Sequence, residues 1–195
     1  MDPNIDAGRP VPSFSSARDL EVWLTQRGLP MDLWGRAGAK RVEDLHTELQ
    51  NGDSTLLDEP PRRYVAFIQL LIEANGLYLY EARQILASGA VRERATLPAE
   101  KLKPGESWVD AARRCLSEEL GLGPGAVYEV VRVDPYRQEE EESPSYPGLQ
   151  TAYVVRRAQV AAQGLPRTAF STMEASTDGD PSVSQHFWEW RSHMG

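Results

Sequence analysis

The chain is poor in cysteine, in histidine and in long apolar runs, and each shortage removes a class of protein. Its single cysteine, Cys115, excludes an intrachain disulfide, so the fold must hold by packing alone, which suits a reducing, intracellular setting. One thiol and three scattered histidines, His46, His186 and His193, lack the spacing of a zinc site or of a nucleophile paired with its base. No apolar run approaches the roughly 18 residues of a membrane-spanning helix. Near Met1 no basic segment leads into an apolar one, as a secretory signal requires, although an organellar leader already removed would leave no trace. Positive charge is short too. With 21 Lys and Arg against 29 Asp and Glu, the net charge of −8 disfavours nucleic acid as a partner, because phosphate attraction needs a basic surface.

What is present reads as one soluble, globular core with a modest extension: 195 residues, 41% of them apolar and 26% charged. Residues 1–16 are rich in Pro, Gly, Ser and Asp without periodicity, the pattern of a flexible arm. Residues 17–58 read as a helical extension. Leu20, Trp23 and Leu24 recur at helical spacing after a Ser16 cap, and a second helix runs from Val42 to Leu49 before Asn51 and Gly52. Between them Trp34 lies among Arg36, Lys40 and Arg41. That interval reads as a turn tucking Trp34 against the neighbouring domain, with a grip on an anionic ligand as the alternative. The extension is a candidate surface for a protein partner or for substrate selection, and a structural clasp is its plain alternative.

Residues 60–195 read as the main domain. YVAFIQLLIE has the β-branched and aromatic content of a buried strand, and Asn75-Gly76 supplies a hairpin turn into LYLYEARQIL. VRERATL, VYEVVRV, TAYVVRRAQVAA and HFWEWR read as further strands. Arg92 and Arg94 share a face of the first of these, where they could meet a phosphate, an RNA backbone or neighbouring acids. The intervening DPYRQEEEESPSYPGLQ reads as a loop whose four glutamates form a solvated charge run that repels order, with a more ordered tip at Tyr146 to Leu149.

The most informative stretch is 97–122, LPAEKLKPGESWVDAARRCLSEELGL. It divides into an extended piece, a turn at Pro104-Gly105, and a helix from Ser107 to Leu120 that stops at Gly121. Ser107 caps this helix with Asp110 three residues on. Val109, Ala112, Leu116 and Leu120 form an apolar stripe for a core, while Cys115, Glu118 and Glu119 gather on the other face, with Arg114 four residues before Glu118. Two adjacent carboxylates on an anchored helix suit a hard divalent cation such as Mg²⁺. A solvated acidic helix end is the bland alternative.

The order of residues in this stretch resembles the Nudix box, Gx5Ex7REUxEExGU with U aliphatic. Glu106, Arg114, Leu116, Glu118, Glu119, Gly121 and Leu122 fall on seven of its nine fixed positions, while Glu100 stands at its first glycine and Cys115 at the glutamate after the arginine. The resemblance implies an α/β fold, an α/β/α sandwich with a mixed sheet. It also implies Mg²⁺- or Mn²⁺-dependent hydrolysis of a nucleoside diphosphate linked to another moiety. On that reading Glu118 and Glu119 ligate metal, Glu106 and Arg114 complete the catalytic set, and Glu100 is a further candidate ligand. A thiol at 115 is a poor ligand for Mg²⁺, so the resemblance also implies a weakened metal site. A non-catalytic module of this fold that binds a ligand or protein is the second reading.

Overall fold

The computed structural model describes residues 9–11, 13–36, 38–143, 145–174 and 183–192. Much of the expected arm at 1–16, part of the turn-rich segment 164–180 and His193 lie outside them. In chain order the elements are β1 (Arg9–Pro10), α1 (Ala17–Gln26), a 3-10 turn (Met31–Leu33), α2 (Val42–Asn51), β2 (Thr55–Asp58), β3 (Arg62–Ala74) and β4 (Leu77–Leu86). There follow β5 (Val91–Thr96), β6 (Ala99–Lys101), α3 (Trp108–Glu118) and β7 (Tyr128–Val133). The last are β8 (Arg137–Glu142), β9 (Gln150–Ala162), β10 (Phe170–Met173) and β11 (Val183–Arg191). The fold is α/β, as the sequence implies. The chain divides into two compact units, residues 1–66 with 137–154, and residues 67–136 with 155–195.

In the first unit β2 pairs antiparallel with β1 and with the start of β3. Both helices form where their patterns place them. The Ser16 hydroxyl accepts from the Asp19 backbone N–H at the start of α1, and Gly52 ends α2 in the left-handed conformation. Leu20, Leu24, Leu45 and Leu56 pack with Trp34, Tyr146 and Leu149 into one apolar cluster. Each such buried side chain contributes about 1.5–3 kcal/mol relative to exposure. Trp34 is in a turn, as expected: its ring packs against Tyr146 in a tilted arrangement, centroids 5.1 Å apart, and its indole N–H donates to the Pro147 carbonyl. Lys40, a member of the proposed anion grip, is committed instead to Glu48 at 2.8 Å.

The acidic run 137–142 corrects one expectation. It is the strand β8, paired with β9, rather than a disordered loop. All six of its residues are exposed, so the charge is indeed solvated. Order comes from the turn that follows, where Tyr146 and Leu149 are fully buried and the Gly148 N–H donates to Glu142. Tertiary burial here overrides local repulsion.

In the second unit β4 lies between β11 and a second flank shared by the end of β3 and by β5. β10 continues from β11, β6 lies on β3, and β7 pairs with β9. The hairpin from β3 to β4 turns on Asn75 and Gly76, both at positive φ, the backbone that a two-residue turn demands. α3 ends at Glu118, earlier than the expected Leu120, because Glu119 already takes the cap position. Its buried residues are Ala111, Ala112, Cys115 and Leu116, packed against Ile68, Leu70, Ile72, Leu79 and Trp188. Cys115 therefore belongs to the core face, not to the polar face on which helical spacing alone groups it.

Gly148 has φ +79, and a Cβ there would collide with the Pro30 ring. Gly148→Ala is expected to lower unfolding stability by about 1–3 kcal/mol in urea titration, from the strained backbone and the clash together.

Candidate functional site

The site grows from the C-terminal half of α3, which a buried face holds against the sheet while its last turn turns carboxylates outward. Arg114 is its hub. The guanidinium meets Glu106 through a forked pair of hydrogen bonds, Nε to Oε1 and Nη2 to Oε2, both 3.0 Å. Its Nη1 lies 2.8 Å from Glu100 on β6 and 3.7 Å from Glu118, and Nη2 also donates to the Lys101 carbonyl. The backbone N–H of Lys103 donates to Glu106 as well, closing the turn that precedes the helix. Four of the residues expected from the sequence, Glu100, Glu106, Arg114 and Glu118, are thus brought together around one cation.

Glu119 faces a second group that the sequence left unassigned. His186 on β11 directs Nδ1 at Glu81 on β4, 2.6 Å away, and at Glu119, 3.2 Å away, while its Nε2 lies 3.0 Å from Glu174. The ring is 1% exposed and stacks on Trp188. Glu81 is also held by Gln84 and by Arg94, and Arg92 donates to Gln84. The two arginines do share a face of β5, as expected, and that face is engaged with β4. Sheet register around Glu81 is irregular: β4 shifts between Glu81 and Arg83 against both β5 and β11. Such bulges re-aim a side chain locally, and strand alternation alone gives no sign of them.

Electrostatics follow from this crowding. Burial pushes the Glu119 carboxyl up to about 8; His186 opposes the shift, while Glu100, Glu174 and Glu81 add to it. Burial would lower His186, but hydrogen bonds to Glu174 and Glu81 prevail and hold it as an imidazolium, pushed up to about 10. Glu100 is raised by burial despite Arg114. Burial acts the same way on Glu106 and Glu81, yet Arg114 in the first case and His186 in the second bring each below the ordinary range. The Cys115 thiol is pushed well up by burial and by the charges of Glu119 and Glu100. It stays protonated at neutral pH, so it is not an activated nucleophile, and a thiol is a poor partner for a hard ion such as Mg²⁺.

The donor set suits a hard divalent ion. Glu118 Oε2 is buried and accepts no hydrogen bond, and its nearest cation, Arg114 Nη1, stands at ion-pair rather than hydrogen-bond range. With Glu119 and Glu100 beside it, this oxygen-rich surface has the donors that Mg²⁺ or Mn²⁺ prefers. Sequence reading missed Glu81, Glu174 and His186 as site residues. Their one visible signal was His186 beside the aromatic residues Phe187, Trp188 and Trp190 in the last strand.

The pH dependence of the metal-free protein has a definite sign. His186 is raised from 6.5 to about 10, so its stabilising contribution is complete below 6.5 and is lost as pH rises through 10. Glu119, raised from 4.5 to about 8, holds a proton in the folded state that the unfolded chain has lost, which also favours low pH. In chelator, the melting temperature is expected to fall steadily from pH 6 to pH 10. A flat or rising profile in differential scanning fluorimetry would contradict these assignments.

Comparison with known proteins agrees with the motif. No curated protein matches the chain. Among solved structures, a NUDIX hydrolase from Nitrosomonas europaea is similar at 18% identity and a TM-score of 0.41, over 64% of this chain and 71% of that one. A protein described as an ADP compounds hydrolase is similar at 18% identity and a TM-score of 0.37, over 70% of this chain and 68% of that one. The NUDIX domain profile matches residues 61–179, more than half of the 195-residue chain. With that match enclosing the box at 97–122 and the strands that position it, the chain belongs to the NUDIX domain family.

Proposed function

We propose that the protein is a metal-dependent hydrolase of a nucleoside diphosphate linked to another moiety. The observation that carries this reading is the convergence of Glu100, Glu106 and Glu118 on Arg114, with Glu119 alongside at the end of α3. Glu118 and Glu119, with Glu100, would hold Mg²⁺ or Mn²⁺. When bound, such an ion neutralises phosphate oxygens and lowers the pKa of a bound water. Arg114 keeps Glu100 and Glu118 oriented while like charges press them apart, and Glu106 in turn fixes the guanidinium. Arg94, one-third exposed and paired with Glu81, would offer positive charge to an anionic substrate.

Cys115 removes one carboxylate from the set that the motif describes, and Glu100 adds one within reach of the same arginine. The metal site is accordingly weakened rather than lost. A second reading, a non-catalytic module that binds a nucleotide or a protein, draws on His186, whose protonated ring already neutralises part of the acidic cluster without any ion. On that reading residues 17–58, where Val22 and Leu33 are about half exposed, would offer a partner surface.

Hydrolysis of a panel of diphosphate-linked nucleosides with Mg²⁺ or Mn²⁺ distinguishes the two. Turnover is expected, and Glu118→Gln or Glu119→Gln should each reduce it by about 100-fold. Cys115→Glu combined with Glu100→Gly, which places the motif's own residues at both positions, should raise turnover in protein whose circular dichroism shows that the buried face of α3 still packs. Ligand binding without turnover in both the wild type and that double variant would support the binding module instead.

A further inference from the structure

We infer that Glu81, Glu119 and His186 form a mixed imidazole and carboxylate cation site that takes a borderline divalent ion such as Mn²⁺, Fe²⁺, Co²⁺ or Zn²⁺ in preference to Mg²⁺. This deepens the hydrolase reading, on which it rests only for the role of Glu119. Among the described residues these three bring their ligand atoms within 4.8 Å of one another. His186 Nδ1 lies 2.6 Å from Glu81 Oε1 and 3.2 Å from Glu119 Oε2. Ligands at about 2.1 Å from one ion and at right angles to each other stand about 3 Å apart. The nitrogen therefore already stands at about coordination spacing from both oxygens, and the three groups come from β4, the C-terminal cap of α3 and β11.

A second feature points the same way. His186 Nε2 faces Glu174 Oε2 at 3.0 Å, so the nitrogen not aimed at the two carboxylates donates to a third. Metal-binding histidines characteristically donate their far ring nitrogen to a carboxylate, which fixes the tautomer and turns the near lone pair toward the ion. Stacking of the imidazole on Trp188, ring centroids 5.6 Å apart and planes within 13°, holds the ring in that orientation. With an ion present, the Nδ1 lone pair takes the place of the Nδ1 proton as the link to Glu81 and Glu119. Mg²⁺ demands hard oxygen donors and sheds water reluctantly, whereas imidazole suits the later first-row ions, so a nitrogen in the set shifts preference toward them.

The test is pulsed electron paramagnetic resonance of the full chain loaded with Mn²⁺ alone, alongside titration calorimetry with Mn²⁺ and Mg²⁺. The expected result is nitrogen hyperfine coupling from one directly bound imidazole, with affinity for Mn²⁺ at least about tenfold above that for Mg²⁺. In the double variant His46→Asn, His193→Asn, His186 is the one histidine left, and the coupling should persist. Glu174→Gln should weaken Mn²⁺ binding about 10–100-fold while leaving the folded spectrum intact. Bound Mn²⁺ without nitrogen coupling, coupling lost in the double variant, or no Mn²⁺ binding would each overturn the inference. Hydrolysis supported by Mg²⁺ without nitrogen coupling would sink the mixed site but leave the hydrolase reading intact. Nitrogen coupling without any hydrolysis would do the reverse.

Discussion

The arrangement of the second unit depends on Arg114, which is largely buried and surrounded by three carboxylates. Such a guanidinium is tolerable because four of its five N–H donors are engaged: two on Glu106, one on the Lys101 carbonyl, one on Glu100. Breaking a pair of this kind leaves an uncompensated charge and costs about 3–5 kcal/mol. The same contacts tie β6, the turn before α3 and α3 itself into one body. What positions the acidic cluster is therefore also what makes its charge bearable.

Around that hub most of the negative charge is divided between two cations, with Arg94 as a further partner of Glu81. Arg114 serves Glu100, Glu106 and Glu118, and His186 serves Glu81, Glu119 and Glu174. Glu119 shares His186 with two other carboxylates, and burial raises its carboxyl to about 8. A carboxylate held in this condition is a natural place for a metal. The apolar floor under it is the core face of α3, where Cys115 sits at 0% exposure and contributes packing alone.

The first unit handles a buried charge by a related device. Glu48 on α2 is 6% exposed yet accepts from Arg63 at 2.6 Å, from Lys40 at 2.8 Å and from the Tyr146 hydroxyl at 3.0 Å. Its lone pairs are answered from several sides, and burial together with Glu48 pushes the Tyr146 hydroxyl well above its ordinary range. This network explains why the segment after the glutamate run is ordered: Tyr146 is anchored at both its ring and its hydroxyl.

The sequence by itself determined the elements whose causes are local. Ser16, Ser107, Gly52 and the Asn75-Gly76 pair mark boundaries because caps and turns are decided by a few neighbouring residues. It also determined the pairing of Arg114 with Glu118, which helical spacing forces, and the order of residues across 97–122 that marks the family. Tertiary structure decided the rest. His186, Glu81 and Glu174 lie up to 105 positions apart in the chain and meet only because β11 is paired with β4 and β10, with a register shift that no alternation pattern discloses. Cys115 shares a helical face with Glu118 and Glu119 by spacing, yet it is buried, because the helix turns just enough to place Ala111, Cys115 and Leu116 against the sheet. Spacing limits which residues can be neighbours; the opposing surface settles which of them it covers, and that surface comes from distant parts of the chain.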